Sequence, residues 1–378
     1  MRPLELLKLR LLADGTRVAP EAATAWRECY DGPLTLAEYA TTSGVALVLP
    51  GNLYVNAPLA GPEEDTPVLR HDGDRFLVED RGQIVGIDVI PVPAFHDRTY
   101  ERPGGGLVAL TRLGVTHTDR CRVSPVEGCA WNCAFCDLPF EFPKYVRKER
   151  EQLLELIEIA VRDPQAPARH VLVSGGTPGP VHESWIDDVY AFLARESPVP
   201  VDVMMPPRDD PQYPVKLAAM GVNAASINME VSDPDRAFAV IPRKSRRYGR
   251  EYVLDYIATA VEAFGVGQVQ SLMVFGSAIE SSEATLRGVR DLVDRGCIPV
   301  LSAFRPHHLT PLRDAPPASF EEMVRVYEGT LEICAAAGNG ILPGPRCVPC
   351  QHNTVTVPID GDFYIGPNDD PAARCATS

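Results

Sequence analysis

The sequence has no long apolar run and no excess of positive charge. No stretch approaches the roughly 18 to 20 consecutive apolar residues that a membrane-spanning helix needs. The first residues also lack the basic, apolar and cleavage regions of a secretory signal. Lys and Arg number 36 against 51 Asp and Glu, a net charge of −15, and the one strongly basic run, Arg243–Arg247, is short. Because nucleic-acid binding draws on clustered cations, we expect no nucleic-acid partner. Without a secretory signal or a long apolar run, we expect a cytoplasmic protein with no membrane partner.

The cysteines are too sparse for a disulfide framework, since there are 10 in 378 residues. In a reducing cytoplasm, clustered cysteines favour metal binding. Cys129, Cys133 and Cys136 have the spacing CxxxCxxC, with no fourth cysteine in the same loop. Such a loop can direct three thiolates toward one [4Fe–4S] cluster and leave one iron open to a ligand. Zinc is the alternative, but zinc sites usually combine two short cysteine pairs.

The stretch from Gly128 to Cys136 resembles the signature of the radical S-adenosylmethionine (radical SAM) superfamily, including the aromatic Phe135 before the third cysteine. The resemblance implies that the open iron is chelated by the amino and carboxylate groups of S-adenosylmethionine. It also implies that Phe135 packs near the adenine. The similarity covers about residues 118 to 337 and is greatest to the biotin synthase-like branch.

From about residue 116, apolar runs alternate with amphipathic helices. Six such units predict an α/β fold with a parallel sheet, which suits a partial (β/α)6 TIM-type barrel. A doubly wound sheet is the alternative, but no dinucleotide-binding glycine fingerprint follows the first strand. The six strands are predicted at Val115–Val123, His170–Ser174, Val201–Met205, Ala224–Val231, Val269–Phe275 and Ile298–Phe304.

Three domains are predicted along the chain. Residues 1–110 contain two helical patterns and a strand pair at residues 76–85, which indicates a small N-terminal α+β domain. Residues 111–338 form the partial barrel. Residues 339–378, rich in glycine and proline, form a C-terminal extension that contains cysteines.

In a barrel, the chemistry collects at the carboxyl ends of the strands. Gly175, Gly176 and Thr177 follow the second predicted strand. Glycines let a ligand approach the backbone, whose carbonyls can accept hydrogen bonds from an ammonium group. A plain turn is the alternative. The resemblance to radical SAM enzymes implies that this segment binds the methionine amino group.

Ser226, Asn228 and Glu230 alternate with apolar residues and so share one face of the fourth predicted strand. If that face lines the barrel interior, its polar groups need a ligand or polar neighbours. The resemblance implies that Glu230 contacts the ribose of S-adenosylmethionine and that Arg250 meets its carboxylate, with neighbouring arginines as alternatives. Glu280 corresponds to a position beside the adenine, although its spacing departs by one residue.

Cys347 and Cys350 form a CxxC motif beyond the barrel, and Cys375 follows later. This resembles the auxiliary-cluster extensions of other radical SAM enzymes, except that no cysteine directly follows the apolar residues 363–366. An auxiliary iron–sulfur cluster held by these three cysteines is therefore predicted. Zinc bound by Cys347, Cys350, Cys375 and either His352 or Cys121 is one alternative. Unliganded thiols are the other.

The sequence thus predicts a radical SAM enzyme with a [4Fe–4S] cluster, S-adenosylmethionine and a second iron–sulfur cluster as cofactors. Its expected partners are a small-molecule substrate or cofactor precursor and an external one-electron donor of the flavodoxin or ferredoxin type. Sulfur insertion that consumes the auxiliary cluster, as in biotin- or lipoyl-synthase-like enzymes, is an alternative. A non-catalytic iron–sulfur electron-transfer protein is another.

Overall fold

The structure is a computed structural model that describes residues 2–30, 32–35, 43–61, 65–101, 105–142 and 145–358. Within these residues no helix is both long enough and apolar enough to span a bilayer. Cys375 and the second half of the predicted C-terminal extension lie outside the described residues. Residues 102–104 also lie outside them; they begin the run RPGGG, which the sequence predicts to be a linker at the end of the N-terminal domain.

In its described residues, the N-terminal part contains two α-helices, one four-stranded sheet, one three-stranded sheet and one two-stranded pair. The predicted pair at residues 76–85 is confirmed as an antiparallel hairpin. Its turn places Arg81 and Gly82 at φ 50° and 79°, the left-handed conformation that tight hairpin turns require. The elements are α1 (Pro3–Asp14), β1 (Arg17–Val18), α2 (Pro20–Cys29), β2 (Val45–Leu49), β3 (Leu53–Ala57), β4 (Val68–His71), β5 (Phe76–Asp80), β6 (Gln83–Gly86), β7 (Asp88–Val89), β8 (Thr99–Glu101) and β9 (Leu107–Ala109).

The central part contains the main sheet and the helices that cover it. Its elements are β10 (Gly114–His117), β11 (Arg120–Val123), β12 (Val126–Glu127), α3 (Leu138–Glu141), β13 (Val146–Arg147), α4 (Arg150–Val161), β14 (His170–Val173), α5 (Glu183–Glu196), β15 (Val201–Met205), α6 (Tyr213–Ala219), β16 (Ala224–Ile227), α7 (Pro234–Val240), α8 (Pro242–Arg247), α9 (Arg250–Phe264), β17 (Val269–Phe275), α10 (Ser282–Asp294), β18 (Ile298–Ala303) and α11 (Phe320–Ala337).

The main sheet has seven strands in the order β10-β11-β14-β15-β16-β17-β18. β10 and β11 are antiparallel, and each following pair is parallel. The strands β11 and β14 to β18 therefore form the predicted partial (β/α)6 barrel, a curled half-barrel. Parallel strands need helical crossovers, and these helices bury the outer face of the sheet.

Two strand predictions are corrected by the structure. The apolar stretch at residues 115–123 is a hairpin, because Thr118 turns the chain at φ 55° between β10 and β11. The fourth strand ends at Ile227. After an interruption, Glu230 returns to the sheet at φ 65° by bridging Met273. The side chains of residues 226–230 therefore do not follow the regular alternation of one strand.

The two ends of the chain pack against the same side of the half-barrel. α1 contacts β3 and α11, and β3 contacts the short helical turn Pro349–Asn353. The buried Lys8 ammonium donates to the carbonyl oxygens of Gln351, at 3.0 Å, and Thr356. One continuous cluster of buried apolar side chains runs from Leu7 to Val357. The domain boundaries at residues 110 and 338 stay a prediction.

Candidate active site

The three-cysteine loop lies at the carboxyl end of the half-barrel, between β12 and α3. Cys133 is buried, and Cys129 and Cys136 are half-buried. The backbone fixes the loop at two points, because Ala130 N–H donates to the Thr177 carbonyl oxygen at 2.9 Å and Ala134 N–H donates to that of Val240 at 2.8 Å. The loop is therefore attached both to the second parallel strand and to the α7–α8 segment.

The three thiols lie close enough to affect one another electrostatically. Burial raises the pKa of Cys136 to about 12, and the charges of Asp137 and Cys129 add to that effect. Burial, together with the carboxylate of Glu230 and the other two thiols, also raises the pKa of Cys133 well above its ordinary value. Three thiolates in such a loop would require a strongly cationic partner, which the irons of a cluster could supply.

The glycine segment after β14 packs directly on the cysteine loop. A Cβ atom on Gly176 would lie 1.6 Å from the carbonyl oxygen of Gly128, so no other residue fits there. Gly175 has φ 105°, and its added Cβ would lie 2.4 Å from Ser124 Oγ. Thr177 N–H points at Cys129 Sγ at 3.3 Å, a contact that stabilises a thiolate. The glycine segment thus approaches the cysteine loop closely and offers it a hydrogen-bond donor, the Thr177 N–H, as a cluster-binding loop needs.

Glu230 lies beside the second cysteine and is buried. Its Oε2 atom is 3.9 Å from Cys133 Sγ, and its Oε1 atom forms an ion pair with Lys244 of α8. Burial alone would lower the pKa of Lys244, but the charges of Glu230 and Cys133 raise it above its ordinary value. The ion pair with Lys244 therefore holds the Glu230 carboxylate next to the cysteine loop.

Sequence reasoning did not identify Lys244. The basic run that contains it is too short for nucleic-acid binding, and the sequence offers only its arginines Arg246 and Arg247 as alternatives to Arg250. In α8 its members point in different directions: Arg247 pairs with the exposed Asp209, and Arg246 lies over the ring of Phe238. Arg243 donates to the Ala130 carbonyl oxygen of the cysteine loop at 2.9 Å. The helical spacing after Pro242 was the available signal, since only one face of α8 can meet the loop.

The structure gives Ser226 and Asn228 polar neighbours within the sheet. Ser226 Oγ donates to Asn228 Oδ1 at 2.9 Å, and the same oxygen accepts from Leu272 N–H at 3.2 Å. Asn228 thus replaces a missing backbone partner where the fourth strand is interrupted. Of the three polar residues predicted to contact S-adenosylmethionine from this strand, Glu230 is the one that lies beside a cluster cysteine.

Arg250 and Glu280 have structural partners. Arg250 forms an ion pair with Asp291 and donates to the Ser232 carbonyl oxygen at 3.1 Å. Glu280 accepts from the backbone N–H groups of Ser232 and Asp233 at 2.9 and 2.8 Å, and from Thr285 Oγ1 at 3.0 Å. Both residues hold the segment after β16 in place.

Two cavities border the site. The smaller one, of about 140 Å³, lies between the interrupted fourth strand and α7–α9, and its lining includes Asn228, Lys244, Tyr248 and Arg250. Phe135 and two of the cysteines pack against the apolar cluster that contains Tyr248 and Ile279, near this cavity. It is therefore bordered by aromatic, amide and cationic groups close to the cysteine loop.

The larger cavity, of about 780 Å³, lies between the N-terminal part and the half-barrel. It reaches the cysteine loop at Asp137, the residue after the third cysteine. Its wall combines polar and apolar groups and carries both signs of charge. It is lined by, among others, His96, Arg112, Arg122, Ser124, Glu127, Asp137, Lys148, His307 and His308. Burial lowers the pKa of Arg122 to about 9, partly offset by the charge of Asp137.

The predicted C-terminal cysteines lie at the opposite, amino end of the strands. Cys347 and Cys350 are brought together with Asp119 and His170, and the ligand atoms of the four lie within 4.8 Å of one another. The alternative zinc ligands that the sequence offers, His352 and Cys121, lie outside this group of four. Both ring nitrogens of His352 have other partners, the Pro349 carbonyl and Asn353, and Cys121 belongs to the apolar core.

A half-barrel of six parallel strands with a three-cysteine loop at its carboxyl end defines a radical SAM fold, and sequence comparison agrees. Residues 123–297 match the family model described as Radical SAM superfamily. This span contains the cysteine loop, the glycine segment, Glu230 and Lys244. This stretch, just under half of the chain, is therefore similar to the radical SAM superfamily.

Among characterised proteins, the chain is 28% identical over 128 residues to the bacteriochlorophyllide c C-7(1)-hydroxylase of Chlorobaculum limnaeum. That match covers 34% of this chain and 31% of the hydroxylase, so it spans about a third of each.

Three solved structures are also similar. Methylornithine synthase (PylB) aligns at 16% identity and TM-score 0.43, over 59% of this chain and 70% of that one. A radical SAM methyltransferase from Sphaerobacter thermophilus aligns at 18% identity and TM-score 0.45, over 73% and 75%. HydG, a maturase of the [FeFe]-hydrogenase, aligns at 16% identity and TM-score 0.45, over 57% and 49%.

Proposed function

We propose that the chain binds a [4Fe–4S] cluster through Cys129, Cys133 and Cys136, and that it uses S-adenosylmethionine to abstract hydrogen from a polar small molecule. When bound and reduced by an external donor of the flavodoxin or ferredoxin type, this cluster supplies the electron that cleaves S-adenosylmethionine to methionine and a 5′-deoxyadenosyl radical. The observation that carries the proposal is the contact of Gly176 with Gly128, which joins the glycine segment to a loop of three thiols.

The chain's own residues would position S-adenosylmethionine. The backbone of residues 175–177 lies next to Cys129 and offers carbonyl groups to the methionine ammonium. Glu230 can accept hydrogen bonds from ribose hydroxyls while it remains paired with Lys244. Lys244 is better placed than Arg250 to meet the methionine carboxylate, because Arg250 is engaged by Asp291 and Ser232. Phe135 and the smaller cavity would receive the adenine.

The substrate would bind in the larger cavity. Its volume of about 780 Å³ is within the range of about 300 to 1,000 Å³ that is usual for small-molecule sites. Cationic and anionic groups line it together, for example Arg122 and Asp137, which suits a substrate with several polar groups. The protein around it would exclude water and other reactants from a reactive carbon radical.

The fate of the substrate radical is the open choice within this proposal. Sulfur insertion, and electron transfer to an auxiliary cluster, both require a second iron–sulfur cluster. The sequence predicts Cys347, Cys350 and Cys375 as its ligands. The first two lie beside Asp119 and His170, and a single metal ion bound by those four residues would exclude a cluster there. Counting iron and acid-labile sulfide before and after one turnover separates the two outcomes, because sulfur insertion consumes the cluster.

The test compares Cys133→Ala with Cys334→Ala in protein reconstituted with iron and sulfide without oxygen. Cys334 is also a buried cysteine, but it lies in α11 away from the site. With dithionite and S-adenosylmethionine, wild type and Cys334→Ala should release 5′-deoxyadenosine, and Cys133→Ala should not. Release at the wild-type rate by Cys133→Ala would overturn the proposal.

A further inference from the structure

Four buried side chains converge at the amino end of the half-barrel, away from the three-cysteine loop. Asp119 lies in the turn between β10 and β11, and His170 is the first residue of β14. Cys347 and Cys350 come from the segment after α11, 177 or more positions along the chain from His170. All four are buried. Such a set of two thiols, one imidazole and one carboxylate from distant segments is typical of a metal site.

We propose that Asp119, His170, Cys347 and Cys350 bind a single zinc ion that attaches the C-terminal segment to the half-barrel. This site is separate from the cluster at the three-cysteine loop and does not depend on it. Its ligands would be one carboxylate oxygen, Nε2 of His170 and the two Sγ atoms.

The distances suit one tetrahedral ion. Cys347 Sγ lies 3.7 Å from both carboxylate oxygens of Asp119 and 3.9 Å from His170 Nε2. Cys350 Sγ lies 3.3 Å from the same nitrogen, which is 3.6 Å from Asp119 Oδ1. Tetrahedral zinc, with bonds of about 2.0 to 2.3 Å, holds its ligand atoms roughly 3.3 to 3.8 Å apart. The four atoms therefore need to move only slightly to bind an ion.

The surroundings of the ligands also favour a metal. His170 Nδ1 faces Asp202 Oδ2 at 3.6 Å, and this nitrogen is buried without another hydrogen-bond partner. A carboxylate behind the far nitrogen of a histidine ligand is the usual arrangement at zinc sites, because it leaves the other nitrogen free for the metal. Arg169 pairs with Asp119 Oδ2 at 2.9 Å and orients that carboxylate.

Charge balance supports the same conclusion. Two thiolates and the Asp119 carboxylate would carry three negative charges in a buried place, and buried charges are costly unless they are compensated. A Zn²⁺ ion supplies two positive charges, and the paired Arg169 supplies a third. The two thiolates, the Asp119 carboxylate, the ion and Arg169 sum to zero charge, and Asp202 adds one negative charge behind His170.

A single ion fits this ligand set better than an iron–sulfur cluster does. The atoms of several irons and sulfides lie between the ligands of a cluster and hold them apart, whereas these ligand atoms all lie within 4.8 Å. Two thiolates, a nitrogen and an oxygen in tetrahedral arrangement favour zinc over calcium or magnesium, which take oxygen ligands.

The ion would connect three parts of the fold. Asp119 directly precedes β11 and His170 begins β14, its parallel neighbour. The cysteines belong to the segment that Lys8 and Asn56 of the N-terminal part hold by hydrogen bonds to Gln351 and Asn353. Since metal-binding free energy becomes folding free energy, loss of zinc should loosen this segment. Its role would be structural, because all four positions are taken by the protein.

The test measures zinc and iron by mass spectrometry in the whole chain. We expect about one zinc per chain in protein purified without added iron. The triple variant Cys129→Ala, Cys133→Ala, Cys136→Ala should keep that zinc and lose its iron. Cys347→Ala should lose the zinc and keep the iron. Cys334→Ala should keep both. The zinc result thus does not depend on whether the radical chemistry is right.

Two further measurements keep the proposal testable if Cys347→Ala does not fold. Asp119→Asn should lower the affinity for zinc at least tenfold, as read by competition with a chelator. In wild type, a mercurial reagent should release one zinc as two thiols react. Three outcomes would each overturn the proposal. They are iron that is lost when Cys347 or Cys350 is substituted, a Cys347–Cys350 disulfide in the isolated protein, and no bound metal.

Discussion

Replacing Gly176 by alanine tests the joint between the glycine segment and the cysteine loop. The added Cβ would lie 1.6 Å from the Gly128 carbonyl oxygen and 2.8 Å from its carbon. Ordinary contact begins at about 3.4 Å, so the two backbones must separate by about 1.8 Å. Both partners are backbone, and neither can rotate away as a side chain could.

That separation breaks two contacts as well as introducing strain. Ala130 N–H would lose the Thr177 carbonyl oxygen at 2.9 Å, and Thr177 N–H would lose Cys129 Sγ at 3.3 Å. Overpacking costs about 1 to 3 kcal/mol, and each hydrogen bond about 0.5 to 1.5 kcal/mol. We expect Gly176→Ala to destabilise the docked loop by about 2 to 6 kcal/mol, the sum of those ranges for one overpacked contact and two hydrogen bonds.

The assay is iron content after anaerobic reconstitution, followed by the rate of 5′-deoxyadenosine release. Gly176→Ala should retain less than half of the wild-type iron at the loop and release 5′-deoxyadenosine at least tenfold more slowly. Gly179→Ala is the matched control, because its nearest neighbour would be Ala130 Cβ at 4.0 Å. It should behave as wild type. Full iron and full activity in Gly176→Ala would refute the reasoning.

Two other changes probe the buried charges. Glu230→Gln should weaken S-adenosylmethionine binding by about 1 to 3 kcal/mol, because a charge-assisted hydrogen bond is lost; calorimetry measures the change. The control is Glu251→Gln, at an exposed position. Equal dissociation constants for the two variants would assign Glu230 a structural role. Burial lowers the pKa of Lys8 to about 7. The unfolded chain therefore binds more protons between pH 7 and about 10.5, and stability should rise with pH there, by at most about 1.4 kcal/mol per unit. Lys8→Met should flatten that rise in urea unfolding, and an unchanged slope would contradict the assignment.

Local patterns in the sequence were sufficient to predict the fold class, and they also define the candidate site. The spacing of Cys129, Cys133 and Cys136 is read within one loop, and the glycines follow directly after a strand. Six alternating strand and helix patterns define the half-barrel, because each is long and periodic. These features depend on neighbours in the chain, which the sequence displays.

The remaining features depend on contacts between distant segments. Asp119 and His170 meet Cys347 only after the C-terminal segment folds back under the half-barrel, and no spacing rule connects them. Lys244 reaches Glu230 because α8 turns one face toward the loop. The interruption after Ile227 depends on Asn228 bonding the backbone of the next strand. The periodicity of a sequence does not reveal contacts between distant segments.

The most direct test of the central claim is the electron paramagnetic resonance spectrum of the dithionite-reduced cluster, recorded with and without S-adenosylmethionine. If three cysteines hold the cluster, one iron is open to S-adenosylmethionine. The signal of the reduced cluster should therefore differ between the samples with and without S-adenosylmethionine. A spectrum that is identical in both samples, with the cluster present at full occupancy, would indicate a fully ligated electron-transfer cluster and contradict the account.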